Sequence, residues 1–130
     1  ASYPAAAGND FGISVVCDGT FSPTSDERRK TDIEDITGAL ASVNALRGRT
    51  FKFKNSNLET EEPGSIGGKL YGLIAQEALD VVPHAIWDDE EEPLENGWCR
   101  SMRMDYGAVT AVLVEAIKEL SAKVEALESA

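Results

Sequence analysis

A seven-residue repeat near the end of the chain constrains the fold more than any other feature. Two sets of positions, each spaced seven apart, form one narrow seam on a predicted helix: Tyr106, Leu113, Leu120 and Leu127 in the first, and Thr110, Ile117 and Val124 in the second. These are the d and a positions of a heptad repeat with charged flanks, which favours a self-associating coiled coil. The alternative is a single amphipathic helix packed on its own core. β-branched residues at a with leucine at d lean towards two strands, but so short a repeat decides little.

The composition is that of one folded domain with an acidic surface. Of 130 residues, 42% are hydrophobic and 27% charged, enough for a modest core. No apolar run reaches the roughly 18 residues that a membrane-spanning helix needs. The 12 basic and 23 acidic residues leave a net charge of −11, which excludes nucleic acid as a partner of the whole domain because phosphates would be repelled.

Metal chemistry is not predicted. The acidic runs "ETEE" and "DDEEEPLE" are typical of solvated loops, and the second lacks the interleaved glycine and alternating ligands of a calcium loop. Cys17 and Cys99 lie 82 positions apart with one histidine in the whole chain, too few ligands for a usual zinc site. We expect both thiols to be free.

The periodicity predicts a small mixed α+β domain. Residues 1–24 contain one short alternating strand and a loop, and are interpreted as the end of an upstream β-rich passenger and its linker. Residues 25–105 form the core, and residues 106–130 the terminal coiled-coil helix. Within the core we expect a helix over 32–48 that Gly38 can interrupt, and a strand carrying Phe51 and Phe53.

Beyond a polar loop at 55–68, the pattern "KLYGLIAQEALDVVP" predicts a short strand leading into a helix that ends at Pro83. Two further short strands are predicted, in "AIWDD" and in "WCRSMRMD".

The segment "TSDERRKTD" places Ser25 and Lys30 five positions apart. A serine hydroxyl becomes a good nucleophile only when a base removes its proton, and a lysine can do so only as a neutral amine. Ser–Lys pairs are an established form of this arrangement. The neighbouring arginines favour a neutral amine and the neighbouring acids oppose it, so the sequence alone leaves the balance open.

Three segments together carry a family resemblance: "TSDERRKTDIEDI", "YGLIAQEALDVVP" and "MDYGAVTAVLVEAIKELSAKVEAL". In this order they resemble the intramolecular chaperone auto-processing domain of bacteriophage tail fibres, tailspikes, endosialidases and neck appendage proteins, which also occurs in the myelin regulatory factor. The resemblance covers roughly residues 22 to 127. It implies a homotrimer that aligns three copies of its own upstream fibre domain and then cuts itself off.

The resemblance also assigns residues. Ser25 matches the nucleophile and Lys30 the general base of a self-cleaving serine endopeptidase that acts once, in cis. Asp26 and Arg28 match supporting motif positions. Gln76 and Glu77 belong to the "GLIAQE" motif, with Gly72, and are interpreted as architectural before catalytic, as is the "DY" pair that precedes the terminal helix.

The Thr24–Ser25 bond is the predicted scissile bond, because Ser25 reaches the Thr24 carbonyl through a five-membered ring. Members of the family are also described as cut just after the serine, so the resemblance leaves this choice open. If the Ser25–Lys30 geometry forms only in the trimer, cleavage would report correct assembly.

The resemblance implies a location in the host cytoplasm during phage assembly, with the parent protein in the virion tail or appendage. Two alternatives stay open. One is a trimerisation module that does not cleave. The other is a nucleotide-regulated variant in which ATP binds near "EPGSIGGK", although no phosphate-binding loop motif is present. No other cofactor is predicted.

Overall fold

The computed structural model describes residues 17–52, 69–88 and 102–130. The chain divides into two compact units, residues 1–34 and residues 35–130. The predicted boundary after Thr24 stays a prediction. The strand predicted around Ile13 and Val15, the loop at 55–68 and most of the second acidic run lie outside the described residues.

The described part of the first unit is exposed chain with one short turn of helix. Gly19 has φ +107, a conformation that glycine adopts at no steric cost, and it lies in the predicted turn at 18–20. A single 3₁₀ turn follows at Glu27–Arg29. Asp32 then takes φ +53, in the left-handed region that aspartate tolerates better than most residues.

The second unit contains two small antiparallel sheets and three helices, which confirms the predicted α+β class. Strands β1 (Arg49–Phe51) and β2 (Leu70–Gly72) pair with Thr50 opposite Tyr71. Strands β3 (Ile86–Trp87) and β4 (Arg103–Met104) form the other pair. Each lies within a segment that the sequence predicts as a strand.

The helix predicted over 32–48 is shorter than expected. Helix α1 spans only Ala39–Ala45, and Gly38 precedes it with φ +67. That left-handed conformation cannot continue a right-handed helix, so the break expected at Gly38 is confirmed. Ile33 and Ile36, which lie in the segment predicted as helical, fall outside the helix and are exposed.

The helix in the "GLIAQE" segment is also shorter than predicted. Helix α2 spans Ala75–Ala78 and gives way to a turn before Val82. Pro83 starts a 3₁₀ turn, Pro83–Ala85. The residue before a proline is pushed out of the helical region, and Val82 has φ −129 and ψ 65.

Helix α3 spans Tyr106–Glu128, as predicted. Asp105 caps its start by accepting a hydrogen bond from the backbone N–H of Ala108. No helix in the described ranges is long and apolar enough to cross a membrane.

The core of the second unit is built from small and β-branched side chains. Its buried cluster brings together α2, the turn after it and the first half of α3: Ala78, Val82, Ala85 and Val109. Leu46, Leu73, Ile86, Met104 and Val112 are among the half-buried residues packed against it. Helix α1 packs along α3 as well, with Ala39 and Ala116 buried.

Helix α3 has two different apolar sides. Val109 and Ala116 face the core and are buried, whereas Ile117 is 65% and Leu127 77% exposed. The other heptad positions from Tyr106 to Val124 are also exposed. The alternative prediction, one amphipathic helix packed on its own core, describes the side of α3 that carries Val109 and Ala116, whereas the described residues do not cover the heptad seam.

Candidate Ser-Lys site

The turn at residues 25–30 is closed by its own backbone. Asp26 lies before the 3₁₀ turn in an extended conformation and accepts a hydrogen bond from the N–H of Arg28 at 2.9 Å. The N–H of Arg29 donates to the Asp26 carbonyl, and the N–H of Lys30 to the Glu27 carbonyl, each at 3.0 Å. A short polar residue before a helical turn satisfies donors that otherwise lack a partner.

This turn places the two predicted catalytic side chains in contact. Lys30 Nζ donates a hydrogen bond to Ser25 Oγ at 2.6 Å. A nucleophile and its base must lie within about 2.6–3.2 Å for direct proton transfer. The contact therefore has the distance that a Ser–Lys pair requires. It forms within one chain, so the condition that the geometry appears only in a trimer is not met.

Both side chains are open to water. Ser25, Lys30 and the adjacent Thr24 are all exposed in the described part of the chain. A lysine acts as a base towards a serine hydroxyl only in its neutral form, because an ammonium group can donate to the serine oxygen but cannot accept its proton. The arrangement has the geometry of a catalytic pair and lacks the dry surroundings that favour a neutral amine.

Asp26 and Arg28 form an ion pair across the same turn. Arg28 donates to Asp26 from Nε at 3.1 and 3.2 Å and from Nη2 at 2.7 Å. The side-chain hydrogen bond from Arg28 holds the pKa of Asp26 below its ordinary value, and the backbone N–H of Arg28 adds to the effect. The same contact raises the pKa of Arg28. Among the described residues, neither side chain is hydrogen-bonded to Ser25 or Lys30, so this ion pair stabilises the turn without a direct contact with the Ser–Lys pair.

Gln76 and Glu77 belong to the second unit, on α2, and both are exposed. Glu77 accepts hydrogen bonds from Arg49 Nε, at 2.9 Å, and from Arg49 Nη2, and Arg47 Nη1 lies 3.8 Å from the same carboxylate. The hydrogen bond from Arg49 is the main reason that the pKa of Glu77 is lowered. Glu77 thus connects α2 to β1 through Arg49, and its contacts in the described residues are structural.

Tyr106 makes a contact that the sequence reasoning missed, because it assigned this side chain to the seam. The Leu73 N–H donates to Tyr106 Oη at 2.9 Å, and the Tyr106 hydroxyl donates back to the Leu73 carbonyl at 3.2 Å. A Cβ at Gly72 would lie 2.7 Å from the Tyr106 oxygen and 2.9 Å from a ring carbon of Phe51. Gly72 therefore permits the close approach of these two side chains.

Glu119 is a second residue that the sequence did not reveal. Its Oε2 accepts a hydrogen bond from the backbone N–H of Leu40, in the first turn of α1. Gly38 has no side chain to cap α1, so a carboxylate from α3 takes the place of a local cap. The acid-rich sequence of α3 gave no sign that this glutamate differs from its neighbours.

Cofactor sites are not evident in the described ranges. No group of three or more histidine, cysteine or acidic residues that could hold a metal ion occurs there. The segment considered for ATP, residues 62–69, lies outside the described residues except for Lys69, so that alternative stays a prediction. Cys17 is a free, exposed thiol, and Cys99 lies outside the described residues.

A Ser–Lys turn, a packed α+β unit and an exposed heptad seam are the expected parts of an intramolecular chaperone domain with a peptidase-like turn. Comparison with known families identifies the class: residues 25–87 match the family described as chaperone of endosialidase. The predicted resemblance is confirmed, and the chain carries a chaperone domain of the phage tail-fibre type.

Two relatives have the same degree of similarity. The long tail fiber protein Gp37 of Enterobacteria phage K3 and its counterpart in Enterobacteria phage T2 are each 32% identical over 109 residues. The alignment covers 81% of this chain but only 8% and 7% of those proteins. The chain thus corresponds to a small part of each fibre protein.

Proposed function

We propose that this domain is a C-terminal intramolecular chaperone that joins three copies of a phage fibre or appendage protein and then cuts itself off at Thr24–Ser25. The family match and the tail-fibre relatives support the chaperone role. The partner is the domain's own upstream fibre segment, and assembly takes place in the host cytoplasm before the parent protein enters the virion.

The observation that carries the cleavage step is the 2.6 Å contact between Lys30 Nζ and Ser25 Oγ. In the proposed reaction a neutral Lys30 amine takes the hydroxyl proton while Ser25 Oγ bonds to the carbonyl carbon of Thr24. The Thr24–Ser25 C–N bond then breaks, and the Ser25 nitrogen takes up a proton. Water hydrolyses the resulting ester to a Thr24 carboxylate and a free Ser25 hydroxyl.

Assembly acts in this proposal by removing water from around the Lys30 amine. The two side chains already touch in one chain, and both are exposed, so bringing them together is not what a trimer would add. Excluding water from the amine favours its neutral form. Cleavage then begins when neighbouring copies, or the upstream fibre segment, cover the turn.

The exposed seam of α3 supports the trimer. Apolar side chains at a and d of a heptad gain stability by packing against the same positions of another helix. The seam is not covered by any part of the chain that the structure describes. A compact unit that joins three chains raises the effective concentration of the upstream segments for one another, and so reduces the entropy that alignment of long chains costs.

Removal of the chaperone makes the assembly irreversible. Once the bond is cut, the unit that held the three chains together no longer needs to stay attached, and the mature fibre is held by its own unfolding barrier. Because each chain carries one scissile bond, the reaction is a single turnover.

The test is mass spectrometry of the purified full chain over several days, beside Ser25→Ala. Wild type should yield fragments that end at Thr24 and begin at Ser25, and Ser25→Ala should stay intact. Hydroxylamine should trap the ester as a hydroxamate on Thr24, which also distinguishes a cut before Ser25 from one after it. Equal cleavage of Ser25→Ala would refute the assignment.

A second candidate function is trimerisation without cleavage. The exposure of Lys30 favours it, because base catalysis requires a neutral amine and solvent exposure does not favour that form. Under this alternative the wild-type chain associates and never loses residues 1–24, even when it is joined to its full upstream fibre segment.

A further inference from the structure

The last turns of α3 extend beyond the packed part of their own unit. All residues from 121 to 130 are exposed, whereas Val109 and Ala116 earlier in the helix are buried. An unsupported helical segment of about ten residues is marginal in water. Val124 and Leu127 in this segment, and Leu120 just before it, are exposed, and no residue in the described ranges covers them.

Two charged residues flank this part of the seam. With Val124 at position a and Leu127 at d, Lys123 occupies position g and Glu128 occupies position e. Residues at e and g lie beside the seam and form the salt bridges that set partner choice and orientation between helices. Both side chains are exposed.

Neither charge is used within its own chain. Lys123 and Glu128 form no ion pair with any residue in the described ranges. They are five positions apart, a spacing that does not bring side chains together on one helix. Glu119, four positions before Lys123, holds the Leu40 N–H instead. Glu128 also lies at the helix end where a negative charge is unfavourable without a cationic neighbour.

We propose that Lys123 of one copy pairs with Glu128 of the neighbouring copy, and that these pairs fix a parallel orientation and the register of the helices. The proposal rests on the proposed function in that the partner is a second copy of this chain. In a parallel coiled coil a residue at g faces the e position five residues further along the next helix, which is the spacing of Lys123 and Glu128. In an antiparallel arrangement g faces g. The other g positions of α3 are Val109 and Ala116, and neither carries a carboxylate, so Lys123 would have no acidic partner.

Parallel association has a direct consequence for the upstream chains. Equivalent ends of the copies then lie side by side, so their preceding segments start from the same end of the assembly. The helices must also be in register, because a shift of one helix along the other would separate Lys123 of one copy from Glu128 of the next.

The test compares Lys123→Glu, Glu128→Lys and the double exchange with the unaltered seam, all in full chains that carry Ser25→Ala so that they stay intact. Each single exchange places like charges opposite each other between copies. Sedimentation equilibrium at low salt should show the association constant falling about tenfold, as expected for three surface pairs of ordinary strength. The double exchange should restore it. Salt near 1 M should reduce the differences, because exposed charges are screened.

Mixing the two single variants gives the sharper result. The introduced carboxylate at position 123 of one chain then faces the introduced amine at position 128 of the other, so the mixture should assemble more tightly than either variant alone. A C-terminal Gly-Gly-Cys extension, with Cys17 and Cys99 changed to serine, should form interchain disulfides in parallel assemblies only.

The outcomes separate the two proposals. Equal association of all four proteins, or failure of the double exchange to restore it, would overturn the Lys123–Glu128 pairing and leave the chaperone role intact. A wild-type chain that stays monomeric at every concentration would overturn the proposed trimer itself. Circular dichroism checks that each variant folds. We expect substitutions at positions 123 and 128 to leave folding unchanged because both side chains are exposed.

Discussion

The turn at residues 25–30 and the unit at residues 35–130 are stabilised in different ways. Every hydrogen bond that closes the turn joins residues no more than five positions apart. The second unit depends on contacts between distant positions: Arg49 with Glu77, Leu73 with Tyr106, and Leu40 with Glu119. The proposed Ser–Lys pair is thus formed by local contacts, whereas the packed unit that carries the heptad seam depends on long-range structure. Cleavage and folding should therefore respond to separate sets of substitutions.

The largest expected effect is a loss of cleavage without a loss of folding stability. Lys30→Met should abolish cleavage, because no other base is bonded to Ser25 Oγ among the described residues. Lys30→Arg should not restore it, since a guanidinium does not lose its proton in proteins. Intact-mass measurements give the cleaved fraction. Thermal unfolding should be unchanged, and a parallel loss of stability would contradict the separation.

The next effect tests whether assembly acts through hydration. Ile117→Glu places a charge in the exposed seam and should give a monomer. We expect cleavage by that monomer to be slower than cleavage by the wild-type assembly, because water then surrounds the Lys30 amine.

The pH dependence of that monomer is decisive. If a protonated amine is the obstacle, cleavage by the monomer should become faster as the pH is raised, because base catalysis requires the neutral amine. A monomer that is inert at every pH would show that assembly supplies geometry instead. Lys118→Ala, on the same helix but outside the seam, is the matched control.

A moderate effect is expected at the junction of β2 and α3. Gly72→Ala would place a methyl group 2.7 Å from the Tyr106 oxygen and 2.9 Å from Phe51. Overpacking of this kind costs about 1–3 kcal/mol. Chemical denaturation should show the loss, and Gly48→Ala is the control because a Cβ there meets no atom within 4 Å.

A smaller effect is expected for Tyr106→Phe. The substitution removes two hydrogen bonds to Leu73, and the side chain is half exposed, so water can replace part of what is lost. We expect a loss of about 1 kcal/mol in the free energy of unfolding. An effect as large as that of Gly72→Ala would mean that water does not replace the lost hydrogen bonds and that the hydroxyl contributes more than expected for a half-exposed group.

The smallest expected effect is a change in how the stability of the folded unit responds to acid. Because Arg49 lowers the pKa of Glu77, the ionised carboxylate stabilises the folded unit above about pH 4. This contribution is lost as the pH falls through the lowered pKa. Glu77→Gln should therefore destabilise the unit slightly at pH 7 and flatten its stability curve in acid. Melting temperatures between pH 7 and pH 3 provide the measurement, with Glu125→Gln as control.

The sequence was informative where the relevant contacts are local. Its heptad positions predicted α3. A glycine within a helical pattern, Gly38, predicted the interruption that its left-handed conformation produces. The five-residue spacing of Ser25 and Lys30 was sufficient to single them out, because a short turn closes the distance between them.

Contacts across many residues could not be read in the same way. Nothing in "KELSAK" distinguishes Glu119 from any surface glutamate, since the N–H that it binds is 79 positions away. Tyr106 was assigned to the seam because its spacing fits, and spacing carries no information about its hydroxyl. The exposure of Ile33 and Ile36 shows the same limit, because a helical pattern does not reveal where the helix begins.

The bond between Glu119 and Leu40 has a consequence for synthesis on the ribosome. Helix α1 is translated early, yet the carboxylate that caps it and the helix that covers it emerge about 80 residues later. A seven-residue helix is too short to persist alone. Helix α1 should therefore acquire its stable form only after α3 has left the exit tunnel, so this part of the unit completes its folding once translation has passed residue 119.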